Sequence, residues 1–398
     1  MTHADAVSAI RSLLPGIAGG VLERERERAL PRAQVKALTL AGLGRLRIPR
    51  EDGGEGLGWV ELAELLVELA EADSNLPQIF RGHIAFVEHL LAAPPSEHRQ
   101  AWIDRIVGGD LVGNAWSETG GVALGTNATR ATRAADGGWS VTGKKFYTTG
   151  SIFADWIDAT VDADGTAATA LIRTGQPGVR VDDDWDGFGQ PVTGTGTAEF
   201  TDASVDEADL GAFADRFRYQ TAVYQLVLLT VLAGIASATR RDAADAVAAR
   251  TRTYSHGNAT RTQHDPQVLQ TIGEIDATAF TARALVNEVA RAVQLAADTA
   301  RDPDGAAHRD AVVAAEFASA RAQVVLSQSV PAAATRLFDT LGASAISASR
   351  SLDRHWRNAR AVASHNPWLF KARQLGDLTV NGTVPDFVWS IGVAAPAG

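Results

Sequence analysis

The stretch Arg-Asn-Ala-Arg-Ala-Val-Ala-Ser-His-Asn-Pro, residues 357–367, decides how the rest of the chain is interpreted. Its arginine-rich first half predicts a helix, and the proline predicts that this helix has given way to a loop. The loop carries His365 and Asn366 but no carboxylate. An unperturbed histidine has a pKa of about 6.5 and exchanges protons near neutral pH, whereas an amide can orient a group but cannot act as a base. The stretch therefore offers a histidine that could give or take a proton, beside an amide that could orient it.

Size and composition limit the class of protein. The chain has 398 residues, 45% hydrophobic and 21% charged, which is typical of a soluble protein with two or three cores. Cysteine is absent, so disulfides, thiolate catalysis and cysteine-bound metals are excluded. The formal charge of −10 opposes non-specific binding to nucleic acid. Neither a secretory signal nor a long apolar run is evident. We therefore expect a cytoplasmic protein with no nucleic-acid partner and no membrane partner.

The hydrophobic pattern divides the chain into three regions. Residues 1–109 read as mostly helical, with leucines on one helical face and glutamates on the other at residues 60–70. Residues 110–210 are rich in Thr, Val, Gly and Asp, which favours a small sheet domain. Residues 211–398 return to long alanine-rich segments, at 220–249, 265–301 and 310–341, that predict a helical bundle. The order predicts an α+β protein of three domains.

Short alternating runs define the predicted sheet. Strands are expected at residues 139–142, 167–172 and 197–200. The turn Asp136-Gly137-Gly138 precedes the first of them and predicts a hairpin. We expect the strands of this domain to be antiparallel.

Five motifs along the chain carry a resemblance to a known family. They are the Gly-rich segment 41–57, the segments 114–120 and 143–150, the pair 184–190 with 194–197, and the opening stretch 357–367. In this order they resemble the acyl-CoA dehydrogenase superfamily. The resemblance implies an N-terminal helical domain, a central small β-barrel or sheet domain and a C-terminal four-helix bundle. It also implies a homotetramer whose flavin sites are completed across subunits.

One branch of the superfamily is resembled most closely. Many of its dehydrogenases carry, after the arginine-rich helix, a glutamate that removes a proton next to a thioester; the loop here has none. Residues 146–151, 364–371 and 381–385 are similar to the two-component flavin monooxygenases, which include dibenzothiophene monooxygenase and amine or amino-sugar N-hydroxylases. The resemblance implies reduced FMN, or alternatively FAD, supplied by a separate flavin reductase. It also implies a C4a-hydroperoxyflavin that oxygenates a small organic substrate at S, N or aromatic C.

The resemblance assigns catalytic positions, each of which has a structural alternative. His365 would give or take a proton, or it is a structural histidine before a proline. Thr148 and Thr149 would bond the flavin N5 or its peroxide, or they are simply good strand residues. Asn114 would bond the hydroperoxide or the substrate, or it is a turn residue. His83 would reach the pocket from the first helical domain, or it is a partly exposed helix histidine.

The flavin ring is expected to meet residues from two of the motifs. Trp116 and Ser117 would contact the ring and its O2 or N3 atoms, although a lone tryptophan is more often a core residue. Phe146 and Thr148 lie on the strand that is expected to cover the reactive edge of the flavin.

Three further residues are expected to bind flavin from a neighbouring subunit. Arg252 and Tyr254 lie where the family binds the flavin phosphate, and an arginine matches phosphate bidentately. A solvated helix end is the alternative for both. Gly342 would let the backbone approach a partner's flavin closely.

Two other functions stay open at this point. The chain could be an acyl-CoA dehydrogenase that binds FAD and takes its base from Glu274 or Glu288, or it could be a catalytically silent scaffold. Tight oxidised FAD would favour the first, and a His365→Ala variant with every activity unaltered would favour the second. The segment Gly187-Phe188-Gly189 lacks the third glycine of a nicotinamide-binding fingerprint. No His or carboxylate spacing fits a metal, so we expect none.

Overall fold

The computed structural model describes residues 3–135, 137–388 and 393. In this part of the chain, helices precede a sheet and further helices follow it. The first group is α1 His3–Gly19, α2 Val21–Glu27, α3 Arg32–Leu40, α4 Trp59–Ala72, α5 Asn75–Ala92 and α6 Glu97–Gly108. On α4 the leucines are buried while Glu61 and Glu64 are exposed, which confirms the predicted amphipathic helix. Helix α5 is buried on nearly every face and carries the charged residues Arg81 and Glu88 into the core.

The sheet is mixed rather than purely antiparallel. Its strands are β1 Val112–Ala115, β2 Arg130–Arg133, β3 Trp139–Lys145, β4 Trp156–Ala163, β5 Thr166–Arg173, β6 Val179–Val181, β7 Ala198–Val205 and β8 Leu210–Ala212. The strand order is β6-β7-β3-β2-β4-β5-β8, and β1 also pairs with β4. Strand β4 pairs in parallel with both β1 and β2, so the expectation of an antiparallel sheet was wrong for these two pairs. The alternation of side chains along a strand indicates which face of the strand is buried. It does not indicate whether the neighbouring strand runs parallel or antiparallel.

The strands predicted from sequence are present. The hairpin exists as the antiparallel pair of β2 and β3, although Asp136 of its predicted turn lies outside the described residues. Strand β5 contains the predicted segment 167–172, and β7 begins one residue inside the predicted segment 197–200.

The second group of helices follows the predicted long segments. It comprises α7 Gln220–Ala248, α8 Pro266–Thr299, α9 Ala306–Arg336, α10 Asp353–Ser364 and α11 Trp368–Asn381. Helix α8 begins at a favourable cap, because Asp265 accepts a hydrogen bond from the Gln267 N–H and proline occupies the first helical position. The loop between α10 and α11 is reduced to residues 365–367. The histidine of the opening stretch therefore sits at the C-terminal end of α10.

Helix α7 is the central helix of this region. Its length and composition would allow it to cross a membrane, as would α1 and α2 taken together, which are bent by 55°. However, 94% of the apolar window of α7 is buried inside the protein. It packs against α4, α8 and α9, so its apolar residues serve the core.

A buried polar network fixes α10 against the rest of the fold. The amide of Asn358 donates to Glu25 Oε1 on α2 at 2.7 Å, and its Oδ1 accepts the Gln190 N–H at 2.6 Å. The amide of Asn75 on α5 donates to the same Glu25 oxygen at 3.0 Å. Because α2, α5 and the chain before β7 all meet α10 here, the position of the following histidine is set by this network.

Candidate active site

A chain of polar side chains links α5, the α10–α11 loop and α7. Arg81 on α5 places Nη2 3.1 Å from His365 Nε2, and His365 Nδ1 lies 3.3 Å from Asn366 Oδ1. The amide of Asn366 in turn donates to Gln225 Oε1 at 2.9 Å. A guanidinium can only donate, so Nε2 of His365 accepts and its proton resides on Nδ1. The contacts thus define one tautomer of His365.

The electrostatic environment keeps His365 neutral. Desolvation by the surrounding protein, followed by the charge of Arg81, lowers the pKa of His365 to about 3. His365 keeps exposed surface at the C-terminal end of α10. A neutral imidazole at neutral pH offers one fixed N–H donor at Nδ1.

Arg81 is the unusual member of this group. It is buried, at 6% exposure, and its Nε has no hydrogen-bond partner. Its Cζ lies 5.1 Å from the centre of the Tyr224 ring, which gives it a cation–π contact. Burial lowers its pKa to about 10, so the side chain stays cationic at neutral pH. In the described residues it forms no ion pair with a carboxylate.

An aromatic wall lies beside Arg81. The ring of Trp116 is 5.1 Å from that of Tyr224 and 5.6 Å from that of Phe213, edge to face in both cases. Arg216 stacks on the other side of Trp116, with Cζ 5.0 Å from the ring, and forms a buried ion pair with Asp158 at 2.9 Å. Trp116 therefore has rings and a neutralised ion pair around it.

Asn114 lies next to Arg81 through close packing on a glycine. Its Oδ1 is buried and has no hydrogen-bond partner. A Cβ at Gly82 on α5 would lie 2.6 Å from this oxygen, so only glycine leaves room for it. The backbone carbonyl of Asn114 accepts from Ser151 Oγ at 3.2 Å. Among the described residues, Asn114 thus presents an unused acceptor against Gly82 of α5.

The hydroxyl protons of Thr148 and Thr149 are both used in hydrogen bonds within the protein. Thr148 Oγ1 donates to the Gly196 carbonyl at 3.1 Å, and Thr149 Oγ1 lies 2.7 Å from Thr195 Oγ1. Thr193 bonds both Thr195, at 2.8 Å, and the Gln190 carbonyl, at 3.0 Å. Because Thr193 must give its only proton to that carbonyl, Thr195 donates to Thr193 and Thr149 donates to Thr195. Both predicted residues are buried and are left with acceptor capacity alone.

A salt bridge holds the Trp116 segment against β3. Ser117 and Phe146 form an isolated bridge in which the Phe146 N–H donates to the Ser117 carbonyl at 2.9 Å. The ammonium of Lys145, which is fully buried, contacts Glu118 Oε1 at 2.6 Å. It also donates to Asn127 Oδ1 and Thr160 Oγ1, each at 3.0 Å. The segment that carries Trp116 and Ser117 is therefore rigidly placed.

His83 has both ring nitrogens occupied by the backbone. The Val112 N–H donates to Nδ1 at 3.1 Å, which leaves Nε2–H to donate to the Gly44 carbonyl at 2.8 Å. Burial lowers its pKa to about 4. The residue is buried rather than partly exposed, and it has no free nitrogen to offer a ligand. This geometry favours a structural role for His83.

The remaining predicted residues lie far from this cluster. Gly342 has a φ of +68°, and a Cβ there would lie 2.6 Å from the Tyr254 hydroxyl, so these two residues meet. Arg252 and Tyr254 are exposed just beyond the end of α7. Tyr224 lies near the start of α7, and at about 1.5 Å per residue it is separated from the C-terminal end of the helix by roughly 36 Å. One chain therefore presents two separate clusters.

A described cleft on the N-terminal helices is a different feature. It has a volume of about 450 Å³ and lies on the N-terminal helices, away from His365. It is lined mainly by Arg32, Val35, Lys36, Thr39, Leu40, Arg45, Val107, Phe153 and Asp155. None of the predicted site residues lines it, so shape alone does not locate the chemistry. Among the described residues, no group of three or more His, Asp or Glu side chains could hold a metal ion.

Several residues of the site were not identified from sequence. Arg81 is a lone arginine within a buried apolar helix, and that pattern was a usable signal. Gln225 and Tyr224 lie on a helix that is buried throughout their region and gave no signal of their own. Lys145 and Glu118 are in quoted motifs, but their pairing depends on the fold.

Comparison with known proteins identifies the family of the fold. Residues 15–110 and 226–368 match the family models for the N-terminal and C-terminal domains of acyl-CoA dehydrogenase. A probable FMNH2-dependent monooxygenase, SfnC of Pseudomonas putida, is 28% identical over 96% of both chains. Dibenzothiophene monooxygenase of Mycolicibacterium goodii is 27% identical over 96% of this chain and 95% of its own.

A solved structure shows the same fold over almost the whole length. FMN-bound TdsC from Paenibacillus sp. A11-2 superposes with a TM-score of 0.87 at 28% identity, over 96% of this chain and 99% of its own. Both terminal regions match the family, and the helix–sheet–helix order is shared throughout. The chain therefore belongs to the acyl-CoA dehydrogenase superfamily.

Proposed function

We propose that the protein is a flavin-dependent monooxygenase that oxygenates a small organic substrate at sulfur, nitrogen or aromatic carbon. It would take reduced FMN from a separate flavin reductase and use O2. The observation that carries this proposal is the α10–α11 loop, where a neutral His365 and an amide stand in place of a carboxylate base. Relatives named FMNH2-dependent monooxygenase and dibenzothiophene monooxygenase, and an FMN-bound neighbour, support it.

The residues present fit a flavin ring. Asn114 Oδ1 is a buried acceptor without a donor, and the Thr149 oxygen can only accept. Both suit the N–H groups of a reduced flavin. Trp116 and Phe146 supply aromatic surface beside them, and Ser117 and Thr148 complete the ring contacts that we propose. When bound, reduced FMN reacts with O2 and supplies the oxygen atom that is transferred.

The protein side of the chemistry follows from the fixed tautomer of His365. Its Nδ1 holds a proton toward Asn366, while Arg81 keeps the lone pair of Nε2 occupied. The rings of Trp116 and Tyr224 supply an apolar wall on the Arg81 side of this locus. We propose that substrate binding draws Arg81 away from Nε2, so that His365 can then exchange a proton at the reacting atoms while Asn366 holds Nδ1.

The assembly that we propose is a homotetramer. Arg252, Tyr254 and Gly342 lie at the opposite end of α7 from Tyr224, so they would reach the phosphate of a flavin held mainly by a neighbouring subunit. Exposed apolar residues supply contact surface for partners, since Phe280 is 75% exposed and Val380 is 80% exposed. We also propose that the three regions 1–109, 110–210 and 211–398 act as domains of a cytoplasmic enzyme.

The geometry gives little support to the alternative dehydrogenase. Glu274 on α8 pairs with Arg336 at 2.6 Å, and Glu288 pairs with Arg291 at 3.5 Å. Both carboxylates lie on the exposed side of the long helix rather than beside His365. Neither is placed as a base for this locus within one chain.

Rapid mixing tests the proposal. The protein is mixed with chemically reduced FMN and then with oxygenated buffer while absorbance is followed. A monooxygenase should give a transient spectrum, distinct from reduced and oxidised flavin, that outlasts the protein-free reaction. Return to oxidised flavin at the protein-free rate, with FMN and with FAD, would contradict the proposal. Bleaching of bound FAD by acyl-CoA esters would instead favour the dehydrogenase.

A further inference from the structure

We infer that the substrate of this site carries a small anionic group, of the carboxylate or sulfinate class, which is held by Arg81. The inference rests on the proposed function, because it names the substrate class of the same site. Its basis is a cation that the protein buries beside His365 and leaves without a carboxylate.

In the part of the chain that the structure describes, no negative charge compensates Arg81. The neighbouring Arg216 and Asp158 neutralise each other at 2.9 Å. Tyr224 stays protonated, because burial raises its pKa, and His365 is neutral. Glu316, on the α9 side of this region, is held by the Ala222 N–H and lies in the field of Lys371. The cluster around Arg81 therefore keeps one net positive charge in a buried place.

A buried charge without a partner is costly, so its presence needs a reason. In other buried places the protein pairs its arginines: Arg24 meets Asp73 at 2.8 Å, and Arg47 meets Glu88 at 3.1 Å. Arg81 is treated differently from these two. A ligand that carries a negative charge would pair with Arg81 as the two carboxylates pair with the other arginines.

The hydrogen-bonding capacity of Arg81 fits a forked oxyanion. In the described residues one of its N–H groups goes to His365, and Nε–H is unused. An arginine binds a carboxylate or sulfinate through two parallel N–H groups, because its planar fork matches the spacing of two oxygens. An anion held there would lie next to His365.

The reduced flavin ring is the competing source of negative charge. If Arg81 served the flavin, its loss would weaken FMN binding and leave the choice of substrate unchanged. If it serves the substrate, its loss would abolish the preference for anions and leave FMN binding near its original value. The two readouts are independent, so one experiment separates them.

The inference is tested by isothermal titration calorimetry, which measures how tightly the FMN-loaded protein binds matched pairs of small ligands. The pairs are benzoate with benzamide and acetate with acetamide, which share shape and differ in charge. We expect the anion of at least one pair to bind about tenfold or more tightly than its amide. Arg81→Gln should bring that ratio close to one, and Arg81→Lys should keep part of it.

Controls keep the outcome decisive. Arg105→Gln removes an arginine that stacks on Trp102 at 4.6 Å, away from the site, and should leave the ratio unchanged. Melting curves establish that each variant is folded. If Arg81→Gln does not fold, the anion-to-amide ratio is measured in Arg81→Lys, where it should be lower than in the original protein. No preference for either anion in the original protein, or a preference that survives in Arg81→Gln, overturns the inference. Loss of the transient flavin spectrum with an intact anion preference would count against the monooxygenase alone.

Discussion

At the scale of single residues, His365 carries the proposed proton chemistry. Its replacement by alanine should lower substrate oxygenation about 100-fold or more, which is typical for loss of a general acid or base. Reduced-FMN binding should change little, so oxygen consumption should yield hydrogen peroxide instead of product. Product and peroxide are measured together. Ser364→Ala, which removes an exposed hydroxyl next to His365, is the control. Unchanged product formation in His365→Ala would exclude the proposed role.

The small size of Gly82 leaves the space that Asn114 Oδ1 occupies. Alanine normally stabilises a helix interior relative to glycine by about 1 kcal/mol. At this position, however, the new Cβ would lie 2.6 Å from Asn114 Oδ1. We expect Gly82→Ala to destabilise the protein by about 1–3 kcal/mol and to weaken FMN binding.

The control for Gly82 is Gly108→Ala on α6, where nothing lies within 4 Å of an added Cβ. Urea unfolding and FMN titration of both variants are compared. Equal stability and equal FMN affinity in the two variants would show that the space beside Asn114 is not critical.

Buried His83 links stability to pH. Burial lowers its pKa to about 4 in the folded protein, against about 6.5 when unfolded. Below pH 6.5 the unfolded state therefore takes up the proton first. The stabilisation from neutral His83 is complete above pH 6.5 and is lost as the pH falls toward 4. The shift corresponds to at most about 3 kcal/mol.

The measurement is the free energy of unfolding in urea from pH 7 to pH 4. His83→Gln does not titrate and can still donate to the Gly44 carbonyl, so its stability should fall less steeply. The difference between the two proteins isolates His83 from His89 and His355, whose pKa values are also lowered by burial. If the free energy of unfolding fell equally steeply with pH in both proteins, His83 would not be the source of the pH dependence.

At the scale of elements, Asn358 ties α10 to α2 and to the chain before β7. Asn358→Ala would leave the Gln190 N–H without its acceptor and remove one donor from Glu25. Burial already raises the pKa of Glu25, so losing a donor should raise it further. We expect a loss of about 1–3 kcal/mol and a weaker His365 function, because α10 would no longer be fixed.

Melting temperature and product formation test the Asn358 prediction together. Asn381→Ala offers a matched change, since its amide bonds Asp377 on an exposed helix end at 2.7 Å. That variant should behave like the original protein. If Asn358→Ala did the same, the network would not position α10.

Individual helices and strands were easier to predict from sequence than the pairing of strands or the contacts between distant side chains. The faces of α4 and the extents of the long helices follow from local periodicity, which a single segment carries. The parallel pairing of β4 with β1 and β2 depends on which strands meet, and no local pattern specifies it. In the site, His365 was predicted as a functional residue, but its contact with Arg81 joins residues 284 positions apart. Such contacts are properties of the packed chain.

At the scale of the whole molecule, the proposed flavin site needs two subunits. His365 and Trp116 lie at one end of α7, while Arg252 and Tyr254 lie at the other, roughly 36 Å away by helix length. A flavin that contacts both clusters must therefore lie between neighbouring copies. Arg252→Gln should weaken FMN binding by removing a phosphate contact, and His365→Ala should strongly lower product formation while FMN still binds.

Mixed assemblies of these two impaired variants, with product formation measured at a limiting FMN concentration, test the shared site directly. After unfolding and joint refolding, random pairing should give about a quarter of the sites two intact halves, because each half comes from a different subunit. Activity should then exceed the sum of the two variants refolded alone. Mass measurement verifies that mixed oligomers form, with differently tagged chains. If mixed oligomers form and activity stays at that sum, each site would lie within one chain, and Arg252 would have to be removed from the flavin site.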